Sequence, residues 1–318
     1  MDLHLLVNNL TNPELLFFFL GILAVQLKSD LQIPASSSKF ISLYLLFSIG
    51  FKGGQELSHS EIGAEIIASV GLGIALAMII PVYSFFILRK RFGVQNAGAI
   101  AAAYGSVSAV TFITAISFLD MEQISFGGHM VAVMAFMEAP SIIVGVALMS
   151  LYSKRKEEGA PRSKIFAHAV TNGSVLLILG SLFIGFMAND YQAEGIKPFT
   201  TDLFKGFLAV FLLDMGISSG REIKAFVKQG WSALAFALLI PVFNGCLVAI
   251  FSGWVTDSVG DRFLFAILAA SASYIAVPAA MKLAAPKANP GLYLPMALAI
   301  TFPFNITLGM PLYMYLIQ

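Results

Sequence analysis

The sequence predicts an all-α integral membrane protein with ten transmembrane helices, built as two inverted five-helix repeats in which helices four and nine are broken at mid-membrane. Three observations predict this class. The chain is 58% hydrophobic and only 12% charged, with a mean hydropathy of +0.84, whereas a soluble domain carries roughly 25% charged residues. Its apolar residues fall into ten runs close to the ~20 residues a membrane-crossing helix needs. Two of those runs are interrupted near their centres, by Gly105-Ser106-Val107-Ser108 and by Ser271-Ala272-Ser273. Such residues compete for backbone hydrogen bonds and weaken a helix locally.

In order, the runs are 13–26, 40–55, 66–88, 96–119 and 130–152, then 167–187, 203–220, 231–255, 263–283 and 292–317. Runs one, two and seven are short, which predicts tilt or flanking interfacial turns. The first residues carry no basic n-region, so the first run is read as a permanent span. Alternate connections hold every Lys and Arg except Lys52, Lys197, Lys205 and Arg262. The positive-inside rule places those basic connections in the cytoplasm and both termini outside, in a multi-pass membrane protein. The opposite connections are acidic, with Glu61, Glu65, Asp120, Glu122, Asp190, Glu194, Asp257 and Asp261.

The longest basic connection, residues 153–163, divides the chain into a first repeat, 1–152, and a second, 164–318. Four matches keep the same order and spacing in both halves: Ser48 to Leu57 with Asp214 to Ile223, Ile80-Pro81-Val82-Tyr83 with Ile240-Pro241-Val242-Phe243, Ser106-Val107-Ser108 with Ser271-Ala272-Ser273, and Pro140 with Pro303. Because each half has five spans, the second enters the membrane from the opposite side. Inverted repeats with interrupted helices at matching places mark the binding site in many secondary transporters. Breaks at the two Ser-x-Ser sites would aim two half-helix N-termini at one another, each with unpaired N–H groups and a partial positive charge. That is an anion site. Each terminus contributes about 0.3–1 kcal/mol, rising to ~2 when partly buried. With no mid-span arginine, the pattern favours a small, singly charged anion.

Glu138 and Asp214 are the acids at mid-membrane depth, where ionisable groups are costly and usually functional. Glu138, its repeat mate Thr301, and Asn305 offer hard oxygen ligands suited to Na+. Pro140 and Pro303 free carbonyls one turn earlier. The Gly50-x-x-x-Gly54 and Gly216-x-x-x-Gly220 stretches read as close helix packing. Cys246 is the single cysteine, which excludes an intrachain disulfide or a CxxC metal site. The histidines His4, His59, His129 and His168 do not cluster, and none lies at mid-span as a base for a Gly105-Ser106 nucleophile. No enzyme activity and no nucleic-acid partner are expected. Gly71-x-Gly73 follows no strand and is not a dinucleotide motif.

The two breaks, the start Asn12-Pro13-Glu14-Leu15-Leu16-Phe17-Phe18 and the stretch Phe51-Lys52-Gly53-Gly54 together resemble the cyanobacterial sodium-dependent bicarbonate transporters of the SbtA family, over essentially the whole chain. The resemblance implies a Na+/HCO3- symporter of the carbon-concentrating mechanism that works by alternating access. It implies a homotrimer in membrane lipid, with a core and a gate domain in each protomer, and inhibition by a trimeric PII-like protein (SbtB) at the cytoplasmic face. It places bicarbonate at Gly105, Ser106, Val107 and Ser108, facing Ser271, Ala272 and Ser273. Glu138, Thr301 and Asn305 are assigned to Na+ by their chemistry. The 153–163 linker is shorter than is usual in that family. The competing readings are a sulfate-type or other small-anion carrier, an anion channel, and a receptor regulated by a PII-like protein.

Overall fold

The computed structural model describes residues 3–59, 63–153, 173–226 and 229–318. Linker residues 154–163, with Glu61, Lys164, His168, Asn172 and Lys228, lie outside the described residues. All regular structure among the described residues is helical. Helix α1 (Leu3–Thr11) leads into α2 (Pro13–Gln26) through Asn12, whose side-chain oxygen accepts from the Glu14 N–H at 2.9 Å. Pro13 fills the first turn, where a missing N–H costs nothing. Helix α3 spans Ala35–Ser58.

Helix α4 (Ala64–Gly105) is 42 residues long, about 63 Å at ~1.5 Å per residue and twice the ~30 Å hydrocarbon thickness. It is two helices joined at Gly93, whose φ of 77° and ψ of 165° only glycine adopts without strain. The sequence predicts a connection over residues 89–95; the structure reduces it to this one joint. Then come α5 (Ala109–Met121), α6 (His129–Tyr152) and α7 (Gly173–Met187). The short α8 (Asp190–Lys197) starts at a reciprocal cap between Asn189 and Gln192, and a π turn follows it at Pro198–Asp202. The second half continues with α9 (Phe204–Phe226), α10 (Trp231–Phe251), α11 (Val259–Ala270), α12 (Ala276–Ala284) and α13 (Pro290–Ile317). Within α13, Met296–Thr301 and Asn305–Gly309 are π-helical on either side of Pro303, which has no N–H for the regular ladder.

Five stretches are long and apolar enough to cross a membrane: Ala64–Met121, His129–Tyr152, Asp190–Ile223, Trp231–Trp254 and Pro290–Ile317. Pro13–Gln26 and Gly173–Met187 are apolar but shorter. The chain is a multi-pass membrane protein. Helix α3 falls short by composition, since it carries Lys39, Lys52 and Glu56; α11 and α12 fall short because a break separates them.

The helices pack in two sets. In one, α2 lies along α9 and α3 along α7; in the other, α4 packs on α6 and α10 on both α11 and α13. Helix α5 packs against α11, where the Phe118 and Phe263 rings stack at 5.3 Å. Residues 97–105 of α4 and 263–270 of α11 are all buried, wrapped by the rest of the second set. Burial makes the breaks tolerable, because irregular backbone at membrane depth persists only where protein or water satisfies it.

Candidate functional site

Helix α4 stops at Gly105. Ser106 and Ser108 are extended, and α5 restarts at Ala109 with the Ser108 hydroxyl oxygen accepting the Thr111 N–H at 3.1 Å. Helix α11 stops at Ala270, Ser271 is extended, and α12 restarts at Ala276. Each interruption strands carbonyls on one side and N–H groups on the other.

Named donors take five of the stranded carbonyls, those of Ala102, Ala103, Leu268, Ala269 and Ala270. Ser141 donates to the Ala102 oxygen at 2.8 Å and the Ser273 N–H to the Ala103 oxygen at 2.8 Å. Asn244 Nδ2 donates to the Ala269 oxygen at 3.1 Å, and Asn305 Nδ2 to the Ala270 oxygen at 2.8 Å. The Ser108 N–H donates to Ser271 Oγ at 3.0 Å, and that hydroxyl donates to the Leu268 oxygen at 3.0 Å. Two of these bonds, Ser273 to Ala103 and Ser108 to Ser271, lace the breaks directly together.

The N-terminal ends of α5 and α12 open instead on a cleft. Its near wall is Val107, Ser108 and Ala109 with Ser273, Tyr274, Ile275 and Ala276. Its far wall comes from three helices, each giving a pair one turn apart on one face: Ser42 and Leu46 of α3, Met134 and Glu138 of α6, Ser174 and Ile178 of α7. The space open to the centre of a water-sized sphere is about 30 Å³. A single water needs ~10–15 Å³ on that measure, so the cleft holds a few heavy atoms and not a nucleotide. The cleft lies where the two helix sets meet.

Of the residues the sequence assigned to an anion, Val107, Ser108 and Ser273 line this cleft. Ser106 is buried, and its hydroxyl has no protein partner among the described residues. Ser271 is committed to Ser108 and Leu268. Ala272 is buried packing, and Gly105 faces Pro81 and Ser141. Of the residues assigned to Na+, Glu138 lines the cleft, and no ion pair among the described residues includes it. Thr301 and Asn305 do not line it. Thr301 shares a 2.7 Å hydrogen bond with the Tyr104 hydroxyl and donates to the Ala237 oxygen at 2.8 Å. The Asn305 side-chain oxygen accepts from the Tyr313 hydroxyl at 3.3 Å. Asp214 accepts from Ser38 and so ties α9 to α3. Sequence reasoning did not single out Ser42, Ser174 or the Tyr274-Ile275-Ala276 wall; a serine one turn from an aliphatic residue on two separate apolar helices is the signal that marks the first two.

Among the described residues no cluster of three or more His, Cys, Asp or Glu side chains could hold a metal. The cleft wall is mostly apolar; its polar side chains are Ser42, Ser108, Ser174, Ser273, the Tyr274 phenol and the single carboxyl of Glu138, and the Ser108 and Ser273 hydroxyl oxygens accept from the Thr111 and Val277 N–H groups. A small cleft beside two broken helices, where two sets of membrane helices meet, is the arrangement of a membrane transport protein for a small solute. The family model of the Na+-dependent bicarbonate transporter superfamily matches residues 13–318, and the chain belongs to that superfamily. A comparison with curated proteins returns no match.

Proposed function

We propose that the protein is a Na+-coupled bicarbonate symporter of the plasma membrane, with HCO3- held between the N-termini of α5 and α12 and carried by alternating access. The observation that carries this reading is the crossing of the two breaks. Most of their stranded carbonyls are tied to protein, and their serine-capped N-terminal ends border one cleft with room for a small anion. Ser106, Ser108 and Ser273 supply hydroxyl donors, and Glu138 supplies an oxygen ligand for Na+. In this reading Gly105, Val107, Ser271 and Ala272 shape the cradle, while Thr301 and Asn305 stand behind it.

The proposed architecture is ten spans in two inverted repeats, 1–152 and 164–318, with basic connections inside and both termini outside. The helix pairing supports it. A two-fold exchange of the halves swaps α2 with α7 and α3 with α9, and so turns the α2–α9 pair into the α7–α3 pair. Close contacts occur at mated positions as well: a Cβ on Gly216 would lie 2.0 Å from the Phe18 oxygen of α2, and one on its repeat mate Gly50 would lie 2.7 Å from the Ile178 oxygen of α7. The set formed by α2, α3, α7 and α9 serves as the gate, and the remainder is the moving core. The homotrimer and the PII-like partner at the basic face rest on the family resemblance.

The test is uptake of labelled bicarbonate into proteoliposomes with and without an inward Na+ gradient. Uptake indifferent to Na+ would remove the coupling, and competition by sulfate or nitrate equal to that by bicarbonate would favour a general small-anion carrier. Ser273→Leu is expected to abolish uptake with expression intact, and Glu138→Gln to raise the Na+ concentration needed for half-maximal uptake.

A further inference from the structure

An apolar groove lies between α4 and α10. The space open to a water-sized centre there is about 310 Å³, tenfold that of the transport cleft. Ile87, Phe92, Ala235, Phe236, Leu239 and Ile240 form its walls. Ile87 and Leu239 are 55% and 66% exposed, so the groove opens sideways toward lipid. At one end it carries Arg91 and Ser232. Arg91 Nε donates to the Ser232 hydroxyl at 3.3 Å, and among the described residues no carboxylate lies within ion-pairing distance of it. Helix α10 begins beside it at Gly230 with no side chain capping its first N–H groups. Arg89, two residues earlier, lies 4.7 Å over both the Phe86 and the Tyr152 rings, and Lys90 is exposed. The exposed Trp231 sits at the same end, the placement of an interfacial anchor.

We propose that this groove binds an anionic phospholipid, with its phosphate on Arg91, Ser232 and the open end of α10, and one acyl chain along the apolar walls. Charge complementarity and shape select this occupant. The groove is apolar along its length and cationic at one end only, the pattern of an amphiphile with one anionic head. Arg91 is exposed at the basic end of the groove, where a headgroup would lie, and basic pockets between transmembrane helices recognise anionic headgroups. A helix of a partner protein would leave Arg91 without an anion. The floor also reaches the transport machinery: the Phe236 ring packs edge-on against Tyr104 at 5.0 Å, one residue before Gly105.

The test uses the purified, delipidated full chain, titrated separately with phosphatidylglycerol, phosphatidylcholine and inorganic phosphate. Bound lipid is read by native mass spectrometry and protection by thermal unfolding. Wild type is expected to prefer phosphatidylglycerol by about fivefold, the worth of one basic residue against an anionic lipid. Arg91→Lys is expected to keep that preference and Arg91→Gln to lose it. Leu239→Trp, which fills the groove, is expected to retain neither lipid. An equal preference in wild type and Arg91→Gln, no retention by wild type, or protection by inorganic phosphate as large as that by phosphatidylglycerol overturns the proposal.

Discussion

Replacing Gly105 by alanine puts a methyl group 2.2 and 2.4 Å from two ring carbons of Pro81 and 2.6 Å from the Ser141 hydroxyl. Carbon atoms pack at ~3.5–4.0 Å, so the overlap with the ring exceeds 1 Å by roughly the width of a bond adjustment. The proline ring belongs to the α4 backbone and has no rotamer to escape into. Either α4 moves off its break or Ser141 swings away from the Ala102 carbonyl. Overpacking costs about 1–3 kcal/mol, and loss of the Ser141 hydrogen bond about 0.5–1.5 more, since the Ala102 oxygen keeps the Ser106 N–H at 3.0 Å; alanine returns only ~0.5–1 through helix propensity. The expected loss is about 0.5–4 kcal/mol, with uptake lowered because the break that positions Ser106 and Ser108 has shifted. Gly180→Ala is the control, since a Cβ there meets nothing within 4 Å; it is expected to be neutral or slightly stabilising. The assays are denaturant unfolding in micelles and Na+-dependent bicarbonate uptake. A Gly105→Ala protein with wild-type stability and uptake refutes the account of the break.

Gly50→Ala and Gly216→Ala, at mated positions, should each destabilise by about 1–3 kcal/mol, because the added carbon meets backbone; a cost at one and none at the other, measured by the same unfolding assay, would count against mirrored packing. Asn305→Leu should cost about 1–3 kcal/mol by stranding the Ala270 carbonyl while leaving the Na+ requirement close to wild type, which separates its bracing role from the role proposed for Glu138. Ser108→Ala should cost about 1 kcal/mol through loss of the α5 cap and should also weaken bicarbonate uptake, whereas Tyr104→Phe should cost only ~0.5–1.5 kcal/mol with uptake retained.

The breaks were legible because Gly105-Ser106-Val107-Ser108 and Ser271-Ala272-Ser273 stand where an unbroken lipid-spanning helix has no use for them. The two Gly-x-x-x-Gly stretches were legible as packing for the same kind of reason: a missing side chain announces a close neighbour, and Gly50 meets α7 as Gly216 meets α2. The joint at Gly93 was not, because Arg89-Lys90-Arg91 has the composition of a loop whether or not the backbone stays helical through it. The bracing contact of Asn305 was hidden because an amide offers both an oxygen and an N–H, and sequence does not reveal that the N–H reaches the Ala270 carbonyl. The far wall of the cleft was hidden for a geometric reason. Ser42, Glu138 and Ser174 come from three helices far apart in sequence, and only packing brings them to one place.

The division of labour at the breaks bears on why an anion carrier of this kind would need a cation. Ala102, Ala103, Ala269 and Ala270 have their carbonyls held by Ser141, Ser273, Asn244 and Asn305, so much of the negative end of each interrupted helix is satisfied within the protein. The positive ends are capped in part by Ser108 and Ser273 and border the cleft that Glu138 also lines. In the proposed cycle an anion alone would place its charge near that carboxylate and be repelled by it. A Na+ ion on Glu138 cancels that repulsion and itself attracts the anion. At a separation of ~5 Å and an effective dielectric constant of ~20, two unit charges interact by about 3 kcal/mol, a factor on the order of a hundred in affinity. The coupling is reciprocal: bicarbonate must tighten Na+ binding by the same factor by which Na+ tightens bicarbonate. Replacing Glu138 with glutamine removes the repulsion and the attraction together, so the two affinities should become independent before either is lost.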